Sequence, residues 1–220
     1  MGAMIVGGLF GLLLAFMSIY FKANQVIVGT AINILAASLT TFLLVEIWGR
    51  PGQTDNVEYF KAVGPFNLFT YLAFAMVIVS YYVMYKTPFG LRVRAVGEHP
   101  RAADTLGVNV YVIRYICVMI SGVLAGIGGA SLSIGSMSLF KEGMIAGKGF
   151  IALAALIFGK WNPIGAALAC LFFGFAVALE TVATNLPVPR EFLYALPYIM
   201  TMFAVSGFVG RAVGPAAGGI

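Results

Sequence analysis

Long apolar blocks alternate with short polar ones along the 220 residues of this chain. At about 1.5 Å of rise per residue, roughly 20 apolar residues carry a helix across the hydrocarbon core of a bilayer. Blocks of that length fall at residues 1–20, 26–48, 66–85, 112–136 and 192–209. A further apolar stretch, 148–159 followed by 162–184, is broken by Gly159-Lys160-Trp161-Asn162-Pro163. Its first piece, 149–158, is too short to span alone. Residues 142–159 either span by extending back through Met144 or form a broken, re-entrant helix, tolerated where protein or a water-filled cavity satisfies the backbone. The pattern predicts an all-α integral membrane protein, a polytopic helical bundle of about six to seven spans. One polar island, residues 86–114, interrupts it.

The island reads KTPFGLRVRAVGEHPRAADTLGVNVYVIR and predicts two short capped helices. Thr87-Pro88 is a helix start, a Thr N-cap before proline at the first helical position. Phe89, Val93 and Val96 then share one face at i, i+4 and i+7. Gly97 fits the left-handed position just past a helix end. A second start at His99-Pro100 runs through Leu106 and stops at Gly107, so Gly97-Glu98 joins the two helices. Helices of about two turns are marginal in water and need something to pack against. Two readings remain: a connector lying on the bilayer surface, or a docking element for a soluble partner. Ala102 and Ala103 favour docking, because small side chains let a helix enter a groove. Glu98 and Arg101 would supply charged rim contacts.

Composition narrows the class. The chain is 61% hydrophobic and 10% charged, far below the roughly 25% charge of soluble domains. Loop charge sets the orientation. The island carries Lys86, Arg92, Arg94, Arg101 and Arg114, whereas in the loop 49–65 Arg50 and Lys61 are offset by Asp55 and Glu58. The positive-inside rule places the island in the cytoplasm and that loop outside; Lys22, Lys160 and Arg211 then also fall inside. The net charge of +5 belongs to these loops and implies no nucleic-acid partner. Cys117 and Cys170 lie in apolar segments and read as small core hydrophobes. With His99 the sole histidine, no histidine-based metal site is expected. Residues 1–20 lack the basic n-region and small-residue cleavage site of a signal peptide and read as a spanning helix that begins abruptly.

Four stretches carry a resemblance: GLRVRAVGEHPRAADTLGVNV followed by SGVLAGIGGASLS, KANQVIVGTAINILA (residues 22–36), GFIALAALIFGKWNPIGAALACLFFGFA (149–176) and LPYIMTMFAVSGFVGR (196–211), spread over most of the chain. They resemble the bacterial ABC-transporter permeases for branched-chain amino acids, simple sugars and nucleosides. The Asn-Gln-Val-Ile start and the GKWNP turn look most like the nucleoside (guanosine-type) permeases. The resemblance implies a single transmembrane permease domain over 1–220, lacking helices that family members carry before the position of Met1. Within it, 86–110 is the cytoplasmic coupling insert, with Arg94, Gly97, Glu98, Pro100, Arg101, Ala102, Ala103 and Gly107 as the ATPase-coupling residues. Where family members carry Asn, this chain has His99. The implied partners are an ABC ATPase subunit, a second related permease in a heterodimer, an extracellular substrate-binding lipoprotein and the lipid bilayer. The implied location is the bacterial cell membrane. No cofactor is expected on this chain: Mg-ATP would sit on the partner, and no GxxxxGK[ST] stretch is present.

Polar residues inside spans are the remaining candidates, since their burial in lipid is costly. Asn24, Gln25, Thr30 and Asn33 lie on or beside the second span, and Asn33, Ala37 and Thr41 share a face. Asn24, Gln25, Asn33 and Thr41 are therefore candidate substrate-pathway residues, with helix-to-helix hydrogen bonding as the alternative. Glu46 and Glu180 lie near outer ends of spans, where a vestibule, a receptor contact or a local salt bridge would each use them. Gly122 and Gly126 form GxxxG, extended by Ala130, a close helix-packing face for a contact with the second permease or within the chain, the internal contact being favoured. An ion-coupled secondary carrier would want midplane carboxylates and no docking insert, and a sugar or branched-chain amino acid permease would share every feature above. A membrane enzyme is disfavoured: no Ser/His/Asp set, HExxH or paired carboxylates are visible.

Overall fold

The computed structural model describes residues 1–56, 66–182, 199, 202 and 214–218. Among them are eight α-helices and no strand. Helix α1 (Gly2–Ala15) continues as a π-helical turn over Phe16–Tyr20; α2 is Gln25–Trp48 and α3 Leu68–Lys86. Two short helices follow, α4 (Pro88–Glu98) and α5 (Pro100–Thr105). Helix α6 (Val110–Ala130) continues as a π-helical segment, Ser131–Met137; α7 is Lys148–Phe158 and α8 Pro163–Val182. Four helical segments are long and apolar enough to cross a membrane: Gly2–Tyr20, Gln25–Trp48, Leu68–Lys86 and Val110–Met137. They match the first four expected spans to within a few residues. The span expected at 192–209 falls, apart from residues 199 and 202, outside the described residues.

The helix boundaries follow from local chemistry. Asn24, Asn109 and Asn162 each turn a side-chain oxygen onto an amide at a helix start, accepting from Val26, Val112 and Ile164 at 2.9, 3.1 and 3.0 Å. These caps satisfy donors that the first helical turn leaves unpaired. Gly49, at φ +66°, ends α2 in the left-handed conformation. Helix α7 does not extend back through Met144. Gly143, Ala146 and Gly147 all have positive φ, so residues 142–147 form successive turns and α7 starts only at Lys148.

The bundle is joined chiefly by α1 against α6, and the contact is made of glycine. A Cβ on Gly7 would collide with the Gly122 carbonyl oxygen, one on Gly126 with the Ala3 carbonyl oxygen, and one on Gly11 would lie 2.9 Å from that of Val118. Residue numbers rise on α1 as they fall on α6, so the two run antiparallel. In lipid no hydrophobic force drives helices together, and backbones that touch through small residues gain packing instead. The expected Gly122/Gly126 face is thus an internal contact, and its partner is a second GxxxG, Gly7 and Gly11, on α1. Helices α7 and α8 form a separate tight hairpin around Ala155, Ala169 and Phe173. At its elbow a side chain on Gly159 or Gly165 would strike the other's backbone.

The two ends of the bundle are each tied together. At one end the Thr54 N–H donates to the Phe140 carbonyl (2.9 Å), the Glu142 N–H to that of Gly52 (2.9 Å), and the Phe140 N–H to Thr54 Oγ1 (3.0 Å). This small antiparallel latch puts the α2–α3 loop and the segment after α6 on one side. At the other end, residues 214–218 reach both the α4–α5 junction and the α7–α8 elbow. Spans that alternate direction place the α2–α3 loop and the insert at different ends; which end faces the cytoplasm is the expectation from loop charge.

Candidate functional site

The insert forms because each of its ends is specified. Pro88 and Pro100 both occupy first-turn positions, where a missing N–H costs nothing. Thr87 Oγ1 accepts from the Gly90 N–H at 3.2 Å and donates to the Val83 carbonyl at 2.6 Å, knitting α4 to the end of α3. Gly90 is required there: a Cβ would run into the carbonyl oxygens of Val83 and Met84. This close corner was not foreseen from sequence; a glycine two residues past a Thr-Pro start was its only signal. Arg94 lies over the Tyr85 ring, 4.9 Å from its centroid, a cation–π contact that again ties α4 to α3.

One expectation is corrected. Gly97 is not a left-handed helix terminator; α4 continues through it to Glu98, and Gly97 has no positive φ. The junction is the single residue His99 (φ −137°, ψ 78°), which ends α4 and starts α5. Proline explains the change, because the residue before it is pushed out of the helical region. Gly107 does adopt the left-handed conformation, at φ +79°. Its N–H donates to the Asp104 carbonyl at 2.9 Å, and the Val108 N–H to that of Ala103 at 3.1 Å, closing α5.

The underside of the insert is apolar and seated. Val96, Ala103 and Ile113 form a buried cluster, flanked by Val93, Val108, Val110 and Cys117. The insert therefore rests on the start of α6 as one body. Of the two alanines, Ala103 is buried in this seat and Ala102 is exposed. The small side chain at 103 serves the inward packing; only that at 102 is offered outward. Glu98, His99 and Arg101 are exposed beside it, with Pro100 partly so. Glu98, His99, Pro100, Arg101, Ala102, Ala216 and Ala217 line an open groove of about 430 Å³.

The candidate pathway residues are not brought together. Asn24 is the N-cap of α2, a structural use of its side-chain oxygen. Gln25 is the exposed first residue of that helix. Thr41 donates to the Ala37 carbonyl at 3.1 Å and Thr30 to that of Val26 at 2.9 Å, both one turn back on their own helix. Asn33 is exposed on α2. That helix buries one residue, Leu44; among the described helices it touches chiefly α1 and the π-helical turn after it. Sequence reading missed two buried oxygens nearer the latch. Asn67 donates from Nδ2 to the Gly135 carbonyl at 2.7 Å, yet its Oδ1 and the Glu142 Oε1 are buried without a hydrogen-bond partner among the described residues. Gly135 lies in the π-helical continuation of α6, a distortion frequent at functional sites.

Comparison with known proteins places this architecture. A family profile described as the branched-chain amino acid transport system / permease component matches residues 1–205. The guanosine ABC transporter permease NupQ of Bacillus subtilis is 44% identical over the whole of this chain and 75% of its own length. The nucleoside ABC transporter permease NupC of Lactococcus lactis subsp. cremoris is 40% identical over 98% of this chain and 74% of its own. A second Bacillus subtilis relative, the guanosine ABC transporter permease NupP, is 24% identical over 96% of this chain and 65% of its own. No solved structure matches. A helical membrane bundle with a capped insert, matched by the profile over nearly its whole length, belongs to the family of branched-chain amino acid transport system permease components.

Proposed function

We propose that this chain is the membrane-spanning permease subunit of an ATP-driven nucleoside importer in a bacterial plasma membrane. The observation that carries it is the insert. It is two capped helices seated on α6 through Val96, Ala103 and Ile113, with Glu98, Arg101 and Ala102 facing outward. A bilayer-surface connector would turn its apolar face toward lipid; here that face is already used. A separate ATPase subunit, carrying Mg-ATP, docks on the outward residues. Its closure pushes a rigid body joined to α3 at Gly90 and to α6 at Ile113, tilting those helices. That is gating by rigid-body motion between outward- and inward-open states.

The nucleoside assignment is supported by what the two most similar of the relatives above are named for. Asn33 fits a neutral, hydrogen-bonding solute, and the exposure of α2 leaves room for a pathway shared with a second, related permease. Bacillus subtilis has two such relatives, NupQ and NupP, as a heterodimer requires. An extracellular lipoprotein receptor would deliver solute at the latch end, where Asn67 Oδ1 and Glu142 Oε1 can accept hydrogen bonds from ribose hydroxyls or a base amino group.

Affinity purification from detergent-solubilised native membranes, followed by mass spectrometry, tests this reading. Co-purification of an ATPase and a second permease, with ATP-dependent uptake of labelled guanosine into vesicles, is the expected result. A stable chain with no ATPase, or uptake that follows an ion gradient, refutes it.

A further inference from the structure

Residues 214–218 make two contacts that the import mechanism above does not use. The Ala217 N–H donates to the Gly97 carbonyl oxygen at 2.9 Å. This is one of the last carbonyls of α4, which the helix itself leaves unpaired. The Gly218 N–H donates to the Pro215 carbonyl at 3.0 Å, closing the segment into a turn. Pro215 packs over Gly97, its Cβ 3.6 Å from where a side chain on that glycine would begin. At the other edge Gly214 lies flat on the Trp161 indole. A Cβ there would stand 3.2 Å from Cζ2 and 3.4 Å from Nε1.

Trp161 is itself held unusually. Both it and Lys160 have left-handed φ, +58° and +54°, a conformation non-glycine residues keep only where their surroundings hold them. One five-residue turn thus grips the end of α4 on one side and the α7–α8 elbow on the other. The α7–α8 hairpin meets the other described helices mainly through α8 against α3, and among the described residues this turn joins it to the insert.

We propose that residues 214–218 are a mechanical strap between the ATPase-facing insert and the α7–α8 hairpin. Displacement of the insert pulls the strap, the strap moves Trp161, and the hairpin follows with α3 and α6 instead of lagging behind them. Ala216 and Ala217 also wall the groove beside Glu98 and Ala102, so the strap lies where the push arrives. This rests on the reading that a separate ATPase docks on the insert.

The test uses the intact transporter in proteoliposomes, with ATP hydrolysis and solute uptake measured on the same preparation. Ala217→Pro removes the donated hydrogen, and Gly214→Val forces a side chain into Trp161. Ala217→Gly keeps the donor and serves as control. In both disruptive variants the ATPase stays bound and active while solute moved per ATP falls at least about fivefold, the scale of ordinary coupling between sites; the control matches the parent. An unchanged ratio in both disruptive variants overturns the strap. Loss of ATPase binding in them overturns it too, and makes the segment a docking surface. An unaltered complex without any ATPase signals instead that the docking reading has failed, and the strap falls with it.

Discussion

Gly90 lies where α4 turns away from α3, and the Val83 and Met84 carbonyls close over the space a side chain would take. Backbone cannot yield as a flexible side chain can, so overpacking there costs about 1–3 kcal/mol. Gly90→Ala lowers the melting temperature of the detergent-solubilised protein, whereas Gly29→Ala, with nothing within 4 Å of the added atom, leaves it unchanged. Two neighbouring alanines divide the same way. Ala103→Trp cannot fit beside Val96 and Ile113 and reduces the yield of folded protein. Ala102→Trp projects outward, leaves membrane insertion and melting intact, and abolishes ATP-driven uptake by blocking the partner's approach. Near-normal uptake in Ala102→Trp counts against docking at this face. The alanine pair was legible in sequence as small residues on a short helix. Which one faces outward was not, because α5 is too short for a periodic pattern to orient it.

Among the elements, α1 and α6 carry the bundle. Their contact is backbone on backbone through Gly7, Gly11, Gly122 and Gly126, a geometry in which a single large side chain separates the helices. Gly122→Leu breaks the contact and appears as aggregation on size-exclusion chromatography. Gly128→Leu, on the same helix but with nothing within 4 Å of an added Cβ, stays monodisperse. The GxxxG on α6 was readable as a packing face from spacing alone. Its partner passed unnoticed because Gly7 and Gly11 sit in a run so uniformly apolar that no polar position marks a face. Cap chemistry was more transparent in the insert, where Thr87-Pro88 starts α4 and Gly107 closes α5 as read. Gly97 was misjudged because glycine permits a left-handed turn without demanding one; the following His99-Pro100 decided where α4 ends.

At the scale of the molecule, α2 is the element whose surroundings are least complete. It is long, apolar and almost wholly exposed, with Asn33 on its surface. An amide facing lipid would be expensive, and the proposed second subunit or solute pathway would supply its cover. Asn33→Leu cuts uptake by about tenfold, the scale of one or two lost hydrogen bonds, while the ATPase and second permease still co-purify. Loss of uptake and assembly together assigns Asn33 to subunit contact instead. The latch of residues 52–54 on 140–142 and the contacts of 214–218 with Gly97 and Trp161 tie the chain at two separate places; loop charge expects the 49–65 loop outside and the insert inside.

Sequence alone determined the membrane class, four long spans, the sidedness expected of the insert and the caps at its two outer ends. Each depends on local quantities: the length of an apolar run, the sign of a loop, the φ and donor limits of Pro, Thr and Gly. Tertiary structure alone decided that α1 is the partner of the α6 glycine face, and that Ala103 is a seat and Ala102 a surface. It also decided that residues 214–218 join the insert to the α7–α8 elbow. These are relations between residues far apart in the chain, set by which backbones can approach and which hydrogen-bonding groups are left over when they do; no local pattern encodes them.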